Sequence, residues 1–333
     1  MVDTQTIMNI PVEHQQNVFG QFDAFVKKIE RTLHVAVITR GDELRIIGEP
    51  GNVEKARAVY MDLTELSKRG NTITEQNVDY ALALSKTNES SEILKLDDDV
   101  ICHTVSGKPV KPKTIGQKKY VDEMRSKMIV FGVGPAGTGK TYLAMAMAIQ
   151  AFKNGEVDRI ILTRPAIEAG EKLGYLPGDL QSKIDPYLRP LYNALYQIMG
   201  AESFLHNFEK GLIEVAPLAY MRGRTLDNAY IILDEAQNTM PSQMKMFLTR
   251  IGFNSKCVVT GDMTQKDLPA SQLSGLDHAL RILKKIPEIG VVELTSKDVV
   301  RHPLVQKIVE AYEAYEIKPE KRENKRYDRN DRK

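Results

Sequence analysis

The chain has 333 residues, of which 42% are hydrophobic and 27% are charged, and its formal net charge is +2. This length and composition are typical of a globular protein with roughly two domains and exclude a fibrous or wholly disordered chain. No apolar run approaches the roughly 18 residues of a membrane span, no secretory leader is recognisable, and Cys102, Cys257 and the histidines show no metal-ligand spacing, so we expect a cytoplasmic protein without a zinc site.

The first predicted unit covers residues 1–86 and combines strand and helix signals. It contains an apolar strand, a helix ending at Leu33, and two strands that meet at the tight-turn signal Arg40-Gly41-Asp42. The order strand, short helix, helix, strand, strand, helix resembles that of KH-type RNA-binding domains, which clamp RNA backbone with a Gly-x-x-Gly loop. The corresponding Gly20-Gln21-Phe22-Asp23 lacks the second glycine and has a carboxylate in its place. Contact with protein therefore stays open beside contact with RNA.

A polar stretch over residues 87–113 follows and is predicted to be a linker. Within it, residues 100–105 are expected to form an edge strand or one arm of a hairpin, so the linker need not be fully flexible. The rest of the chain divides into a domain over residues 114–317 and a tail over residues 318–333. The tail carries eight Lys or Arg and four Asp or Glu, and we predict that it is basic and disordered.

Apolar strand patterns alternate with helical patterns through the domain at 114–317. Buried strands separated by helices indicate a mostly parallel sheet covered by helices on both faces, so we predict an α/β fold of the nucleotide-binding type. The predicted strands cover residues 128–133, 159–163, 213–216, 229–233, 256–260 and 290–294.

The first of these strands runs into a glycine-rich turn. Its sequence is Gly134-Pro135-Ala136-Gly137-Thr138-Gly139-Lys140-Thr141, which matches the phosphate-binding P-loop pattern. Strand, turn and helix place backbone N–H groups and the positive end of a helix dipole where a polyphosphate can lie. We expect Lys140 to reach the β- and γ-phosphates and the Thr141 hydroxyl to bind Mg²⁺. The stretch therefore predicts a site for a nucleoside triphosphate with magnesium.

Two further strands end in polar residues, at the edge where α/β sheets hold their ligands. The strand at 229–233 is followed by Asp234 and Glu235, and the strand at 256–260 by Gly261-Asp262-Met263-Thr264-Gln265. Asp234 fits the carboxylate that supports magnesium, and Glu235 fits the base that orients or deprotonates the attacking water. Gln265 is a candidate for sensing the γ-phosphate or positioning water, with ordinary turn chemistry as the alternative.

Together these motifs resemble the first ATPase core of superfamily 1 helicases. Further segments are similar to those of the PhoH-like ATPase family: Thr163-Arg164-Pro165, Glu168-Ala169-Gly170-Glu171-Lys172-Leu173-Gly174-Tyr175-Leu176-Pro177-Gly178-Asp179 and Arg301-His302-Pro303-Leu304. The resemblance covers about residues 114–316, and a KH-like N-terminus also fits the bacterial members. It implies ATP hydrolysis, an association with RNA metabolism, ring-like homo-oligomers and a partner such as a YbeY-type endoribonuclease.

Three residues receive expected roles from this resemblance. Gln117 resembles the glutamine that recognises adenine, with Tyr120 one helical turn later as a stacking partner; an exposed helix glutamine is the alternative. Arg164 resembles the helicase residue that contacts nucleic-acid phosphate, and a structural salt bridge is the alternative. ATP is therefore the expected nucleotide, and single-stranded RNA the expected polymer.

An insertion separates Arg164 from the strand at 229–233. Its apolar residues recur at helical spacing, which is more often core packing than a base-stacking surface. They are Leu180, Ile184, Tyr187, Leu188, Leu191, Tyr192, Leu195 and Ile198. Pro186 and Pro190 are expected to bend or break this helix. The following Arg222-Gly223-Arg224 suits phosphate or RNA, with a solvated turn as the alternative.

One expected component of the site has no obvious source in the chain. Superfamily 1 helicases have two ATPase-type cores, and the second supplies arginines to the transition state, whereas this chain has one core. The arginine must then come from within the core or from a neighbouring subunit. Arg301 is the candidate and Arg250 a weaker one, while a helix N-terminal salt bridge is the alternative role of Arg301. A homo-oligomer follows as a hypothesis.

Two functions remain open. The first is an ATPase that couples hydrolysis to RNA handling, with unwinding or remodelling as candidate activities. The second is a nucleotide-controlled adaptor whose ATP state governs the docking of an RNA-processing enzyme, which the altered loop at 20–23 favours. A P-loop kinase is disfavoured, because Glu235 beside Asp234 suits the activation of water.

Overall fold

A computed structural model describes residues 4–85, 92–165, 180–269 and 271–300, together with residue 308. The internal contacts divide the chain into two units, Met1–Val299 and Val300–Lys333. All helices and strands given below lie in the first unit, and the domain boundaries predicted above stay predictions. Among the described helices, none combines the length and the apolar composition that a membrane span requires.

Residues 4–85 form a small α+β part with its own core. Its elements are β1 Thr4–Asn9, α1 Val12–Phe19, α2 Ala24–Leu33, β2 Val35–Arg40, β3 Glu43–Gly48, α3 Pro50–Lys68 and α4 Glu75–Ser85. The strands form an antiparallel sheet of order β1-β3-β2, and the turn between β2 and β3 contains Gly41 with a φ of 60°. Ile46, Tyr60 and Leu63 lie in the buried cluster between sheet and helices. Up to α3 this is the element order that the KH resemblance implies.

The segment between the two sheets is folded. It contains α5 Glu92–Asp98 and a two-stranded antiparallel sheet formed by β4 Cys102–His103 and β5 Pro109–Val110. The hairpin arm expected at residues 100–105 is thus confirmed. Asp99 forms ion pairs with Arg125 at 2.6 Å and Lys118 at 3.1 Å, and both partners lie in the helix that follows. These contacts attach the segment to the C-terminal part.

The C-terminal part is built on a six-stranded sheet. Its elements are α6 Ile115–Ser126, β6 Ile129–Val133, α7 Lys140–Lys153, β7 Arg159–Arg164, α8 Leu180–Met199, α9 Ala201–Glu209, β8 Ile213–Pro217, β9 Ala229–Leu233, α10 Pro241–Leu248, β10 Lys256–Gly261, α11 Gly275–Leu283 and β11 Ile289–Glu293. The strand order is β11-β6-β10-β9-β7-β8, and every neighbouring pair is parallel. The predicted α/β fold is confirmed.

Two apolar clusters cover the two faces of this sheet. Because successive side chains in a strand point to opposite faces, Ile232 joins a cluster with α7 and α8, whereas its neighbour Ile231 joins a cluster with α10 and α11. The four interior strands β6, β10, β9 and β7 are therefore buried on both sides, which explains their continuous apolar runs in the sequence.

Helix α8 continues through both of its prolines. A proline in a helix interior removes one hydrogen bond and crowds the carbonyl four residues earlier, and on that ground we expected a bend or a break at Pro186 or Pro190. The helix is assigned without interruption from Leu180 to Met199, so the expected break was wrong. Its C-terminal half packs into the core, with Leu188, Leu191, Leu195 and Ile198 buried as predicted, and this packing offsets the lost backbone hydrogen bonds.

Candidate active site

Three strand ends meet at one edge of the parallel sheet. In the sheet register Val133 of β6 lies beside Gly261 of β10, and Val259 of β10 lies beside Leu233 of β9. The residues that follow these strands are therefore neighbours in space although they are far apart in sequence. The P-loop, the Asp234-Glu235 pair and the Asp262 turn share this edge.

The P-loop connects β6 to α7 by a backbone path that requires glycine. Gly137 and Gly139 have φ values of 82° and 79°, in the left-handed region that glycine adopts without strain. A Cβ at Gly134 would lie 2.4 Å from the carbonyl oxygen of Leu294. The close approach of the loop to the end of β11 thus explains the first glycine of the motif.

Lys140 opens helix α7 and its ammonium group is held inside the loop. Its side chain is buried, and Nζ donates hydrogen bonds to the carbonyl oxygens of Gly134 at 2.6 Å and Pro135 at 2.8 Å. The loop therefore places a positive charge at its own centre, where the phosphates of a nucleotide would lie.

Asp234 is the carboxylate at the centre of the site. It is 6% exposed, and its Oδ1 accepts a hydrogen bond of 2.7 Å from the Thr141 hydroxyl. A second hydroxyl, that of Thr260 at the end of β10, donates to the same oxygen at 2.7 Å. A threonine hydroxyl and a carboxylate at this separation are the hard oxygen ligands that Mg²⁺ prefers.

Glu235 is held by a basic residue and an amide. Its backbone has a φ of 53°, a left-handed conformation that is uncommon for a residue with a side chain. Arg164 Nη2 donates to Oε1 at 2.9 Å, and Gln237 Nε2 donates to Oε2 at 2.5 Å. Arg164 Nε also lies 3.6 Å from Asp234 Oδ2. The structural salt bridge considered for Arg164 is therefore the interaction that the structure contains.

Most of the predicted catalytic and phosphate-binding residues that the structure describes line one cavity of about 270 Å³, although Gly134, Pro135 and Thr138 of the loop are not part of its wall. Lys140, Thr141, Asp234, Glu235 and Gln265 all contribute to its wall. The loop residues Ala136, Gly137 and Gly139 line it as well. Gln265 is brought there by a tight turn, in which its N–H donates to the carbonyl oxygen of Asp262 at 3.2 Å. The tertiary structure thus brings together residues that the sequence placed on three separate segments.

Two residues of this site, Thr260 and Gln237, carry no recognisable role in the sequence. Thr260 lies at the end of an apolar strand. A hydroxyl residue at that position is the only sequence signal that could have indicated its role. Gln237 was noted as the last residue of Asp234-Glu235-Ala236-Gln237, but nothing in the motif identifies its partners. Both act through hydrogen bonds to residues on other strands or turns, which only the fold reveals.

Comparison with known proteins decides the family. A family model described as PhoH-like protein matches residues 109–313, which is more than half of the chain. The chain belongs to the PhoH-like protein family. The PhoH-like protein of Bacillus subtilis strain 168 is 52% identical over 297 residues, which cover 89% of this chain and 93% of that protein. The PhoH-like protein of Mycobacterium tuberculosis strain H37Rv is 52% identical over 312 residues, which cover 93% and 88%.

One solved structure with a weaker likeness is the Sulfolobus solfataricus SWI2/SNF2 ATPase core in complex with double-stranded DNA. The match covers 44% of this chain and 31% of that chain, with 15% sequence identity and a TM-score of 0.29. This likeness is too low to carry an argument. The P-loop NTPase-like fold of this PhoH-family chain rests instead on the parallel sheet, the P-loop path and the Asp234 carboxylate at the end of β9, the next strand but one in the sheet.

The nucleotide-base contacts expected from the family need revision. Gln117 is 3% exposed, so the exposed-glutamine alternative was wrong. Its Nε2 donates to the carbonyl oxygen of Thr138 at 3.0 Å, and its Oε1 accepts from the N–H of Lys113 at 2.7 Å. Gln117 thus ties α6 to the P-loop, and its recognition of adenine stays a prediction.

Tyr120 does not fit the stacking role that we expected. Its side chain is fully buried, and a Cβ at Gly132 of β6 would lie 2.5 Å from its ring. Burial raises the pKa of Tyr120 well above its ordinary value. The expectation was wrong because α6 packs this face directly on β6, which leaves the ring without access to a nucleotide base.

Of the arginines considered for the transition state or for RNA contact, those that the structure describes do not line the cavity, and they lie in different parts of the fold. Arg250 lies beside the start of β9, where its carbonyl oxygen accepts from the N–H of Leu226. This is the amino end of the strands, so Arg250 cannot act on the P-loop of its own chain. Arg224 forms a two-fold ion pair with Glu214, at 2.6 and 2.7 Å, and Arg222 is exposed. Arg301 and residues 168–179 lie outside the described residues.

Proposed function

We propose that this protein is an ATP phosphohydrolase. The observation that carries the proposal is the single cavity shared by Lys140, Thr141, Asp234, Glu235 and Gln265. These side chains come from three separate segments, and each has the chemistry of one role in phosphoryl transfer to water. A glycine turn with only a structural role gives no reason for such a convergence.

The residues fit ATP together with magnesium. The loop at 134–141 can wrap its N–H groups around phosphate because its left-handed positions are glycines. The Thr141 hydroxyl and the Asp234 carboxylate are 2.7 Å apart and would serve as ligands of one small divalent cation. When bound, Mg²⁺ would neutralise part of the negative charge on the β- and γ-phosphates. Thr260 keeps the Asp234 carboxylate oriented toward Thr141.

Hydrolysis requires attack of water on the γ-phosphorus. Glu235 accepts a proton from that water while the new oxygen–phosphorus bond forms and the bond to the β,γ-bridging oxygen breaks, so the products are ADP and inorganic phosphate. Lys140 stabilises the negative charge that accumulates on the phosphate oxygens. Gln265 orients the water from the turn that follows β10.

The proposed coupling is to single-stranded RNA. The KH-like element order at the N-terminus and the exposed Arg222 support contact with RNA. A ring-like homo-oligomer is proposed as well, since no arginine lines the cavity in the part of the chain that the structure describes.

Steady-state hydrolysis by the full chain tests both parts. Turnover of ATP and of GTP in the presence of magnesium tests the phosphohydrolase activity and the preference for adenine over guanine nucleotides. Addition of a single-stranded RNA oligonucleotide tests the coupling, since stimulation supports an RNA-dependent ATPase and unchanged turnover contradicts it. Deletion of residues 1–86 then asks whether the N-terminal part carries the RNA contact.

An adaptor function is the second candidate, and the loop at 20–23 favours it. Phe22 is 91% exposed, and both Phe22 and Asp23 have left-handed φ values. An exposed aromatic ring beside a carboxylate suits a protein surface better than a phosphate backbone. Binding of a purified endoribonuclease of the YbeY type, measured with and without ATP, tests this candidate. Phe22→Ser should weaken that complex and leave ATP turnover unchanged.

A further inference from the structure

The proposed catalytic base forms an ion pair with a residue outside the cavity. Arg164 ends β7 and Glu235 follows β9, and these two strands are neighbours in the sheet. The pair has a separation of 2.9 Å, with 19% of the Arg164 side chain and 36% of the Glu235 side chain exposed. Of the two residues, only Glu235 lines the cavity. The carboxylate is thus held from outside the space where water would react.

The second oxygen of Glu235 is held by Gln237, whose orientation is determined by a neighbour. The N–H of Asp262 donates to Gln237 Oε1 at 3.0 Å. Because a backbone N–H can only donate, Oε1 must be the acceptor and Nε2 must be the donor toward Glu235. Gln237 is 1% exposed, so this orientation is fixed by packing. Arg164, Glu235, Gln237 and Asp262 therefore form one hydrogen-bonded chain across β7, β9 and β10.

This chain engages both oxygens of the residue that must accept a proton. A general base needs an oxygen directed at the reacting water, whereas here Oε1 is directed at Arg164 and Oε2 at Gln237. The same guanidinium lies 3.6 Å from Asp234 Oδ2. Arg164 thus supplies a positive charge to both Asp234 and Glu235.

We infer that Arg164 is a positioning residue that restrains Glu235, and that the phosphate backbone of single-stranded RNA releases the restraint. The inference rests on the proposed RNA-coupled hydrolysis. A guanidinium binds phosphate as well as carboxylate through paired N–H groups. Since Arg164 is partly exposed at the strand end, an arriving phosphate competes with Glu235 for it. Gln237 then keeps Glu235 connected to the Asp262 turn while the other oxygen turns to water.

The test compares ATP turnover by wild type, Arg164→Gln and Arg164→Lys in the full chain, with and without a 20-nucleotide oligouridine. Arg164→Gln should raise kcat in the absence of RNA by about tenfold or more, the factor expected for the loss of one charge-assisted hydrogen bond. RNA should then stimulate it little further, and its KM for ATP should stay within about twofold of wild type. Arg164→Lys keeps the charge and should restore both the low basal rate and the stimulation.

Arg159→Gln is the matched control, because Arg159 lies at the opposite end of the same strand and donates to the carbonyl oxygen of Asp227 at 3.2 Å. It should behave as wild type. A basal kcat of Arg164→Gln that is equal to or lower than that of wild type overturns the inference. The inference is also overturned if neither wild type nor Arg164→Gln hydrolyses ATP. If wild type is not stimulated by RNA but Arg164→Gln is faster, the restraint holds and the proposed RNA coupling fails.

Discussion

Thr260 donates a hydrogen bond of 2.7 Å to Oδ1 of Asp234. The same oxygen accepts the Thr141 hydroxyl at 2.7 Å, so one carboxylate oxygen is held by two hydroxyls from different elements. Asp234 is consequently oriented by the protein itself. Thr260, unlike Thr141, is not a proposed ligand, and a partner of this kind tunes metal affinity without contacting the metal.

Thr260→Val should weaken the response of ATP turnover to magnesium. The substitution preserves the shape of the side chain and removes the donor, and loss of such a partner reduces metal affinity by about 10- to 100-fold. Titration of activity with Mg²⁺ measures the effect. Thr64→Val is a matched control, because Thr64 is also buried and donates one hydrogen bond, to the Tyr60 carbonyl oxygen at 2.6 Å. An equal shift in both variants would contradict the specific role of Thr260.

Lys140→Ala and Glu235→Gln should fail at different steps. Lys140→Ala removes the charge at the centre of the loop, so productive nucleotide binding should be lost. Glu235→Gln retains the shape but cannot accept the proton, so it should bind ATP and hydrolyse it at least about 100-fold more slowly. Binding of a fluorescent ATP analogue and steady-state turnover separate the two effects. Near-wild-type turnover in both variants would contradict the assignment of the site.

Gly134→Ala should destabilise the fold. The added Cβ would lie 2.4 Å from the carbonyl oxygen of Leu294, and relief of such a contact requires backbone movement that costs about 1–3 kcal/mol. Gly51→Ala is the control, since a Cβ at Gly51 meets no atom within 4 Å and alanine favours the helix. Thermal unfolding of both variants measures the difference. A stable Gly134→Ala protein would show that the loop and β11 are not in contact.

Asp62→Asn should stabilise the protein at neutral pH and not at acidic pH. Burial raises the pKa of Asp62 to about 7, so the folded state holds this proton more tightly than the unfolded state does. The contribution of Asp62 to stability is then fully present below about pH 4 and is lost as the pH rises to about 7. Asparagine cannot ionise and avoids this loss, which we place on the order of 1–2 kcal/mol because the Asp62 side chain is not fully buried.

Urea unfolding of wild type and Asp62→Asn at pH 4.5 and pH 8 measures this difference. Asp42→Asn, at an exposed position, is the control for the change of charge. A gain in stability that is the same at both pH values would contradict the role of ionisation at Asp62.

Arg301→Ala and Asp234→Ala proteins should complement each other if the arginine acts between subunits. Each protein alone should be inactive, whereas random mixing gives about a quarter of the interfaces an intact site with an intact arginine. ATP turnover of the mixture, with mixed oligomers verified by mass spectrometry, measures the recovery. Mixed oligomers without recovery would contradict an arginine supplied by Arg301 of a neighbouring subunit.

Local sequence was sufficient to predict the candidate phosphate site because the residues of the P-loop are consecutive. The loop at 134–141 and the acids at Asp234 and Glu235 each follow an apolar strand, and parallel strands bring their carboxyl ends to one edge. The six strands and the α/β fold could be predicted for the same reason. Periodicity likewise identified the buried face of α8.

Only the tertiary structure decided which side chains meet across elements. Tyr120 lies against Gly132 and is excluded from a nucleotide base, Arg250 lies at the far edge of the sheet, and Arg164 pairs with Glu235. Thr260 and Gln237 acquire roles through partners 26 and 25 residues away in sequence. Such hydrogen bonds depend on the packing of whole helices and strands, and a local pattern carries no information about that packing.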